Sequence, residues 1–188
     1  MKISLKLFLL ALASLQLSGC ATFVAPTYSP SYEAIDQTRK VDADRITVGT
    51  VQPTDPAADV NSISLRAASL KSASGTFAKY LEAALVSDLK EMGFYDAAGT
   101  TRIDATLLKN DIDISGLSVG SGLMEANIKV TRANAVRLDK NYQVTTKFES
   151  AFAGAVAIPK GQSEYPNLVR AFLRQVYSDP AFVEAIKK

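Results

Sequence analysis

Three short patterns in the chain carry residue types that do chemistry. Gly116-Leu117-Ser118-Val119-Gly120 has the G-x-S-x-G spacing of a serine nucleophile elbow. An elbow needs a strand before the serine and a helix after it, and the residues that follow here alternate in the manner of a strand. The serine also needs a base, usually histidine, and the chain has no histidine. Ser87-Asp88-Leu89-Lys90 has S-x-x-K spacing, but the companion S-D-N and K-T-G patterns are missing. Asp111-Ile112-Asp113 puts two carboxylates on one face of a strand. Such a pair can share a hard cation or work as acid and base. With no third ligand in the pattern, a solvated sheet face without metal is the expectation. The run Gly116 to Gly122 lacks G-K-[ST], so it is not a phosphate loop.

The missing histidine weighs on all three, because it removes the commonest general base near neutral pH and the commonest metal ligand. The expectation is a protein that is not an enzyme and holds no cofactor. A histidine-free hydrolase built from Ser, Lys, Tyr or carboxylates is the least favoured reading. The charge balance argues against nucleic acid. Two of the 21 basic residues, Lys2 and Lys6, precede Cys20, and no acidic residue does, so residues 20–188 carry 19 of each sign. A phosphate-backbone binder wants a basic excess or stripe. Apolar residues make up 47% of the 188, enough to fill a core without disulfides. Cys20 is the one cysteine, so no intramolecular disulfide can form.

The positioning elements begin with an export signal. Met1-Lys2 to Lys6 is a short positive stretch, and Leu7 to Leu17 is an apolar run too short to cross a bilayer, which takes about 20 residues. It reads as the apolar core of a signal peptide, residues 1–19. Leu17-Ser18-Gly19-Cys20 follows, an apolar residue, two small ones and a cysteine. This resembles the lipobox of bacterial lipoproteins. The resemblance implies cleavage between Gly19 and Cys20, a diacylglyceryl group on the Cys20 sulfur and an acyl chain on its new amine. That lipid is the only group expected to be attached. Ala21 in the next place implies, by the same resemblance, sorting to the outer membrane, on its periplasmic side.

Residues 20–44 read as the lipidated N-terminus and a stiff linker, with Pro26, Ser29, Pro30 and Ser31. The alternative is that Tyr28 and Tyr32 dock on the domain. Residues 45–188 read as one domain. Arg45 to Gln52 alternates as a strand, and Ile63 and Leu65 fit a short edge strand. Phe77, Leu81, Ala84, Leu85, Leu89 and Met92 form one stripe of a helix over 74–92, with Ser74 as N-cap and Gly93 as C-cap. Its wet face would carry Lys79, Glu82, Asp88 and Lys90. Arg102 to Ile114 is a strand whose phase flips at Leu107-Leu108, which a bulge repairs. Ser115 to Gly122 reads as a flexible hairpin loop with Leu117, Val119 and Leu123 as an apolar tip for a membrane or a partner. Leu123 to Leu138 and Tyr142 to Ile158 read as strands joined by a hairpin at Asp139-Lys140-Asn141. Leu168, Val169, Phe172, Leu173 and Val176 stripe a helix, and Asp179-Pro180 restarts a short one.

The order predicts an α+β two-layer sandwich: a mainly antiparallel sheet of about four to five strands, packed by a long central helix and C-terminal helices. In outline, residues 45–188 resemble YajG-like lipoproteins, the lipopolysaccharide-assembly lipoprotein and the auxiliary lipoproteins of envelope lipid transporters. That resemblance implies a non-catalytic accessory or structural component, held to membrane lipid by its acyl anchor and contacting an envelope protein partner. The alternative is a carrier holding a lipid or other apolar ligand between sheet and helices, in a cavity lined by Phe148, Phe152 and Phe172.

Overall fold

The clearest sequence stripe forms the helix that organises one half of the molecule. In the computed structural model, which describes residues 21–188, Phe77–Met92 is helical with Phe77, Leu81, Ala84, Leu85 and Leu89 fully buried. Its cap is Thr76 rather than Ser74. The Thr76 hydroxyl accepts the Lys79 amide at 3.1 Å and satisfies one of the open N–H groups of the first turn. The helix stops at Gly93, whose φ of +80° is the left-handed conformation that glycine takes without strain, and whose N–H returns to the Leu89 and Lys90 carbonyls.

The elements run β1 (Thr22–Val24), α1 (Tyr32–Thr38), β2 (Ile46–Gln52), β3 (Ile63–Leu65), β4 (Ala68–Lys71), α2 (Phe77–Met92), β5 (Thr101–Asp113), β6 (Val119–Arg132), β7 (Ala135–Glu149), α3 (Gly154–Tyr177) and α4 (Pro180–Ile186). Two sheets result. The larger has the order β2-β5-β6-β7, with an antiparallel meander β5-β6-β7 and β2 added parallel to β5. The smaller has the order β1-β4-β3, with β1 parallel to β4. Helices α2 and α3 cover one face of the large sheet, giving the expected α+β architecture. The register of β5 on β6 slips between Leu107 and Lys109, the bulge that the phase flip called for. Asp179 caps α4 by accepting the Ala181 amide at 3.0 Å, with Pro180 in the first turn.

Several expectations fail for identifiable reasons. The hairpin is not at Asp139-Lys140-Asn141. Those residues lie inside β7, opposite Lys129, Ile128 and Asn127. The chain turns at Ala133-Asn134, both with positive φ (47° and 63°), as a two-residue turn matched to strand twist requires. The last strand stops at Glu149 rather than running to Ile158. From Ala157 the buried positions fall at Gly161, Tyr165, Leu168, Phe172 and Val176, a helical spacing that takes over from the strand spacing. Gly161 is the close approach that seats α3, since a Cβ there would lie 2.9 Å from Ile114 Cγ2.

The segment expected as a linker also folds onto the domain. Thr22 pairs with Ser69 and Val24 with Lys71. The Gln162 side-chain amide donates to the Val24 carbonyl at 2.6 Å, and Arg170 donates to the Ser29 carbonyl at 3.1 Å. Residues 22–31 therefore run along α3 as a strap, and α1 follows with Ile35 fully buried. The residues of the expected signal peptide and cleavage site, Gly19 and Cys20 among them, lie outside the described residues.

Candidate functional site

Three turns meet at one end of the sheets, and one side chain ties them together. Arg66, in the β3–β4 turn with φ of +58°, sends its guanidinium across to the β5–β6 and β7–α3 connections. It donates to the Ile114 carbonyl (2.9 Å from Nη2, 3.2 Å from Nε), the Ala151 carbonyl (3.0 Å) and the Phe152 carbonyl (2.6 Å). A planar fork with five N–H donors suits this role, because each carbonyl would otherwise end a strand or loop unpaired. The Ser150 amide adds a bond to the Ser118 carbonyl at 2.8 Å. The tip built this way presents Leu117 at 73% exposure, Val119 at 54%, Phe152 at 76% and Val156 at 58%. These are four of the eight large apolar side chains that stand exposed among the described residues.

Of the residues that the sequence proposed for this tip, Leu117 and Val119 are on it. Leu123 is not. Because β6 already starts at Val119, Leu123 lies within the strand, opposite Thr145 and half-buried. Phe152 and Val156 fall in the stretch Tyr142 to Ile158 that the sequence alternation reads as a strand, so that reading does not place them on the tip. The signal that would have found them is the small-residue run Ser150-Ala151 and Ala153-Gly154-Ala155, which breaks the strand around Phe152.

The patterns with catalytic spacing do not assemble. Ser118 sits exposed on the tip and is followed by β6, a strand, so no nucleophile elbow forms. Ser87 and Lys90 share no hydrogen bond. The Lys90 ammonium lies over the Tyr95 ring, 5.2 Å from its centroid. Asp111 and Asp113 are both exposed. Burial of its surroundings moves the Asp111 carboxyl up, while the Ser115 amide, 2.8 Å from Asp113, holds that carboxyl down. No group of three or more metal-ligating side chains occurs among the described residues. The cavity expected from Phe148, Phe152 and Phe172 is not formed by them: Phe172 is sealed in the core, Phe148 is half-buried and Phe152 points to solvent.

Asp88 is the one buried carboxylate among the described residues, at 2% exposure, although its helical position put it on the wet face. The strap explains the difference. The Tyr28 hydroxyl lies 2.9 Å from Oδ2 and 3.0 Å from Oδ1 of Asp88, roofing that side of α2. The Tyr80 hydroxyl donates to the Pro26 carbonyl at 2.8 Å, and the Tyr28 and Tyr80 rings meet edge-on at 6.4 Å. Burial pushes the Asp88 carboxyl up to about 6, against the pull of Tyr28, of the nearby Tyr177 hydroxyl and of Arg170. Burial and the facing carboxylate push Tyr28 above the ordinary tyrosine range. So Tyr28 docks as the alternative reading had it, whereas Tyr32 stays 64% exposed. The cluster latches the strap to α2. A depression of about 220 Å³ lies beside the latch, between Tyr28, Tyr80 and Ser87, and a larger, shallow one lies over Thr47, Arg102, Asp104 and Lys129 on the polar face of the large sheet.

Among the described residues no helix is long and apolar enough to cross a membrane. No family model matches the chain. No curated protein matches it either. Solved structures do match. A Xanthomonas campestris protein of the DUF330 family superposes with a TM-score of 0.58 at 12% identity, over 84% of this chain and 93% of that one. A candidate lipoprotein from Caulobacter crescentus gives 0.47 at 11% identity, over 82% and 98%. The first likeness establishes a shared fold, and the second is too loose to add to it.

Proposed function

We propose that this chain is exported, cut before Cys20, lipidated there, and serves as a non-catalytic accessory component of an envelope assembly or transport system on the periplasmic side of the outer membrane. The observation that carries the reading is the join between signal and fold. Leu17-Ser18-Gly19-Cys20 ends one residue before Ala21, and the Ala21 carbonyl already accepts the Ser69 amide at 2.9 Å. The residue next to the lipobox cysteine is thus already hydrogen-bonded into the domain. More than one acyl chain gives stable anchoring, at roughly 0.8 kcal/mol per buried methylene. The non-catalytic part of the reading is supported by Ser118, Ser87 and the Asp111/Asp113 pair, none of which has a partner fit to activate it.

Mass spectrometry of protein purified from its native envelope tests the anchor. The expected N-terminus is an acylated, diacylglyceryl-modified Cys20, and Cys20→Ser leaves the precursor uncut. A free thiol at residue 20 in envelope protein overturns the proposal. The accessory role predicts a stoichiometric membrane complex on mild extraction, and outer-membrane density on fractionation. A chain that extracts as an isolated protein with turnover of an ester substrate would overturn that role.

A further inference from the structure

We infer that the tip carrying Leu117, Val119, Phe152 and Val156 is the end of the domain that dips into the lipid bilayer beside the acyl anchor. The inference deepens the proposed function and rests on its lipidated Cys20. It commits to a lipid surface as occupant because of where Ala21, the residue that follows Cys20, lies. Strand β1 runs parallel to β4, with Thr22 opposite Ser69, so stepping back from Thr22 to Ala21 moves toward the start of β4 and the Arg66-Ala67 turn. Ser69 is three residues from Arg66, at most about 10 Å along the chain. Arg66 in turn is bonded to the carbonyls of Ile114, Ala151 and Phe152, the backbone of the tip. Helix α3 gives the same answer independently. Gln162 bonds to Val24 and Arg170 to Ser29, so strap and helix run side by side in the same direction, and Ala21 falls level with the first turns of α3, where Val156 stands exposed. Cys20 is one peptide further, about 3.8 Å between Cα atoms. A lipid on that residue brings the bilayer surface to this end of the molecule and no other.

The chemistry of the tip matches that position. Isolated exposed apolar residues are ordinary, but Leu, Phe and two Val gathered on adjoining turns mark a surface that something apolar covers. The opposite end, at the β6–β7 turn, lies the length of a 14-residue strand away, roughly 45 Å.

The test uses the full chain, processed and lipidated by a bacterial host and reconstituted into vesicles of phosphatidylethanolamine and phosphatidylglycerol. With the Cys20 sulfur occupied by lipid, Leu117→Cys, Phe152→Cys and, as the distant control, the exposed Arg137→Cys each offer a single free thiol for an environment-sensitive fluorophore. The expected result is blue-shifted emission at 117 and 152 that brominated acyl chains quench, and water-like, unquenched emission at 137. A second set places the label at Val156→Cys. There the double change Leu117→Ser with Phe152→Ser abolishes the quenching while circular dichroism stays unchanged, since both side chains are exposed. Vesicle-bound protein with water-like emission at all three labelled sites overturns the inference and leaves the anchor standing. Labels at 117 and 152 protected in native envelopes but not in vesicles also overturn it, in favour of a protein covering. Protein that fails to float with vesicles overturns the anchor reading and this inference together.

Discussion

Replacing Asp88 with asparagine should make the protein gain stability relative to wild type as the pH rises. The wild-type carboxyl is buried under Tyr28, and its folded value is about 6 against an ordinary 3.8. The folded chain therefore holds this proton more tightly than the unfolded chain does. The contribution to stability is full below about pH 4 and is lost as the pH climbs through 6. The shift is about two units, and at about 1.4 kcal/mol per unit the ionised form costs roughly 3 kcal/mol at pH 8. Asparagine has the shape of the neutral acid and keeps an oxygen to accept from Tyr28, but it cannot ionise. Urea unfolding of wild type and Asp88→Asn at intervals from pH 4 to 8 gives the difference in stability, in which every other titrating group cancels. The chain has no histidine to confuse that window. The difference should move in favour of the variant by about 3 kcal/mol between pH 4 and pH 8. A flat difference, or one that moves toward wild type, refutes the account of a carboxylate held by burial rather than by its hydroxyl donors.

Other outcomes follow from the same geometry. Arg66→Ala removes the guanidinium that joins three turns and should cost about 1–2 kcal/mol, discounted for its exposure. Hydrogen exchange should quicken at 114–118 and 150–153 before it does in β6. Gly93→Ala meets no atom within 4 Å, so its cost is the left-handed backbone alone, about 1–2 kcal/mol in thermal or urea unfolding. Asp179→Ala loses the cap on Ala181 and the bond from the Tyr142 hydroxyl at 2.6 Å, and should cost about 1–2 kcal/mol at neutral pH. In wild type that contribution falls away as the pH drops from about 4 through about 2, the value to which Lys140 and Tyr142 hold the carboxyl. Inserting 20 Gly/Ser residues between Ala21 and Thr22 should leave lipidation intact. It should weaken bilayer contact of a label at 117 by roughly ten- to a hundred-fold in local concentration, read as lost quenching by brominated lipid.

What could be read from the residues, and what could not, divides along the range of the forces involved. The stripe of α2, its glycine stop, the bulge at Leu107-Leu108 and the Asp179-Pro180 start are local: each depends on residues within one or two turns. The hairpin was misplaced because Asp139-Lys140-Asn141 has turn-forming residues, while Ala133-Asn134 puts an alanine where positive φ is needed. Pairing along two strands of 14 and 15 residues overrides that local preference. Phe152, Val156 and Ile158 happened to continue the period of two across a boundary, which delayed the reading of α3 and hid half of the tip. Asp88 looked wet because helical periodicity describes only what the helix itself buries. Its cover comes from Tyr28, 60 residues earlier, in a segment whose prolines and serines resemble a linker. The tip needed all of this at once, since Arg66 gathers turns separated by 48 and 86 residues.

The strap changes what an anchor at Cys20 would do. A free linker of 24 residues spans on the order of 25 Å root-mean-square as a flexible coil, and more if its prolines extend it. A domain on such a leash samples every orientation to the membrane. Here the leash is consumed by the fold: its first residues are a strand, its tyrosine is bonded to a buried carboxylate, and its serine backbone is held by Arg170. Each contact fixes the direction in which the chain leaves the domain, and that direction is toward the exposed Leu117 and Phe152. With a lipid on Cys20, orientation would then be set by that anchor and the apolar tip acting at adjacent points. The long β6–β7 hairpin, with Lys129 and Thr131 on a polar face that β5 continues through Arg102 and Asp104, would then project away from the lipid, where a second envelope component could reach it.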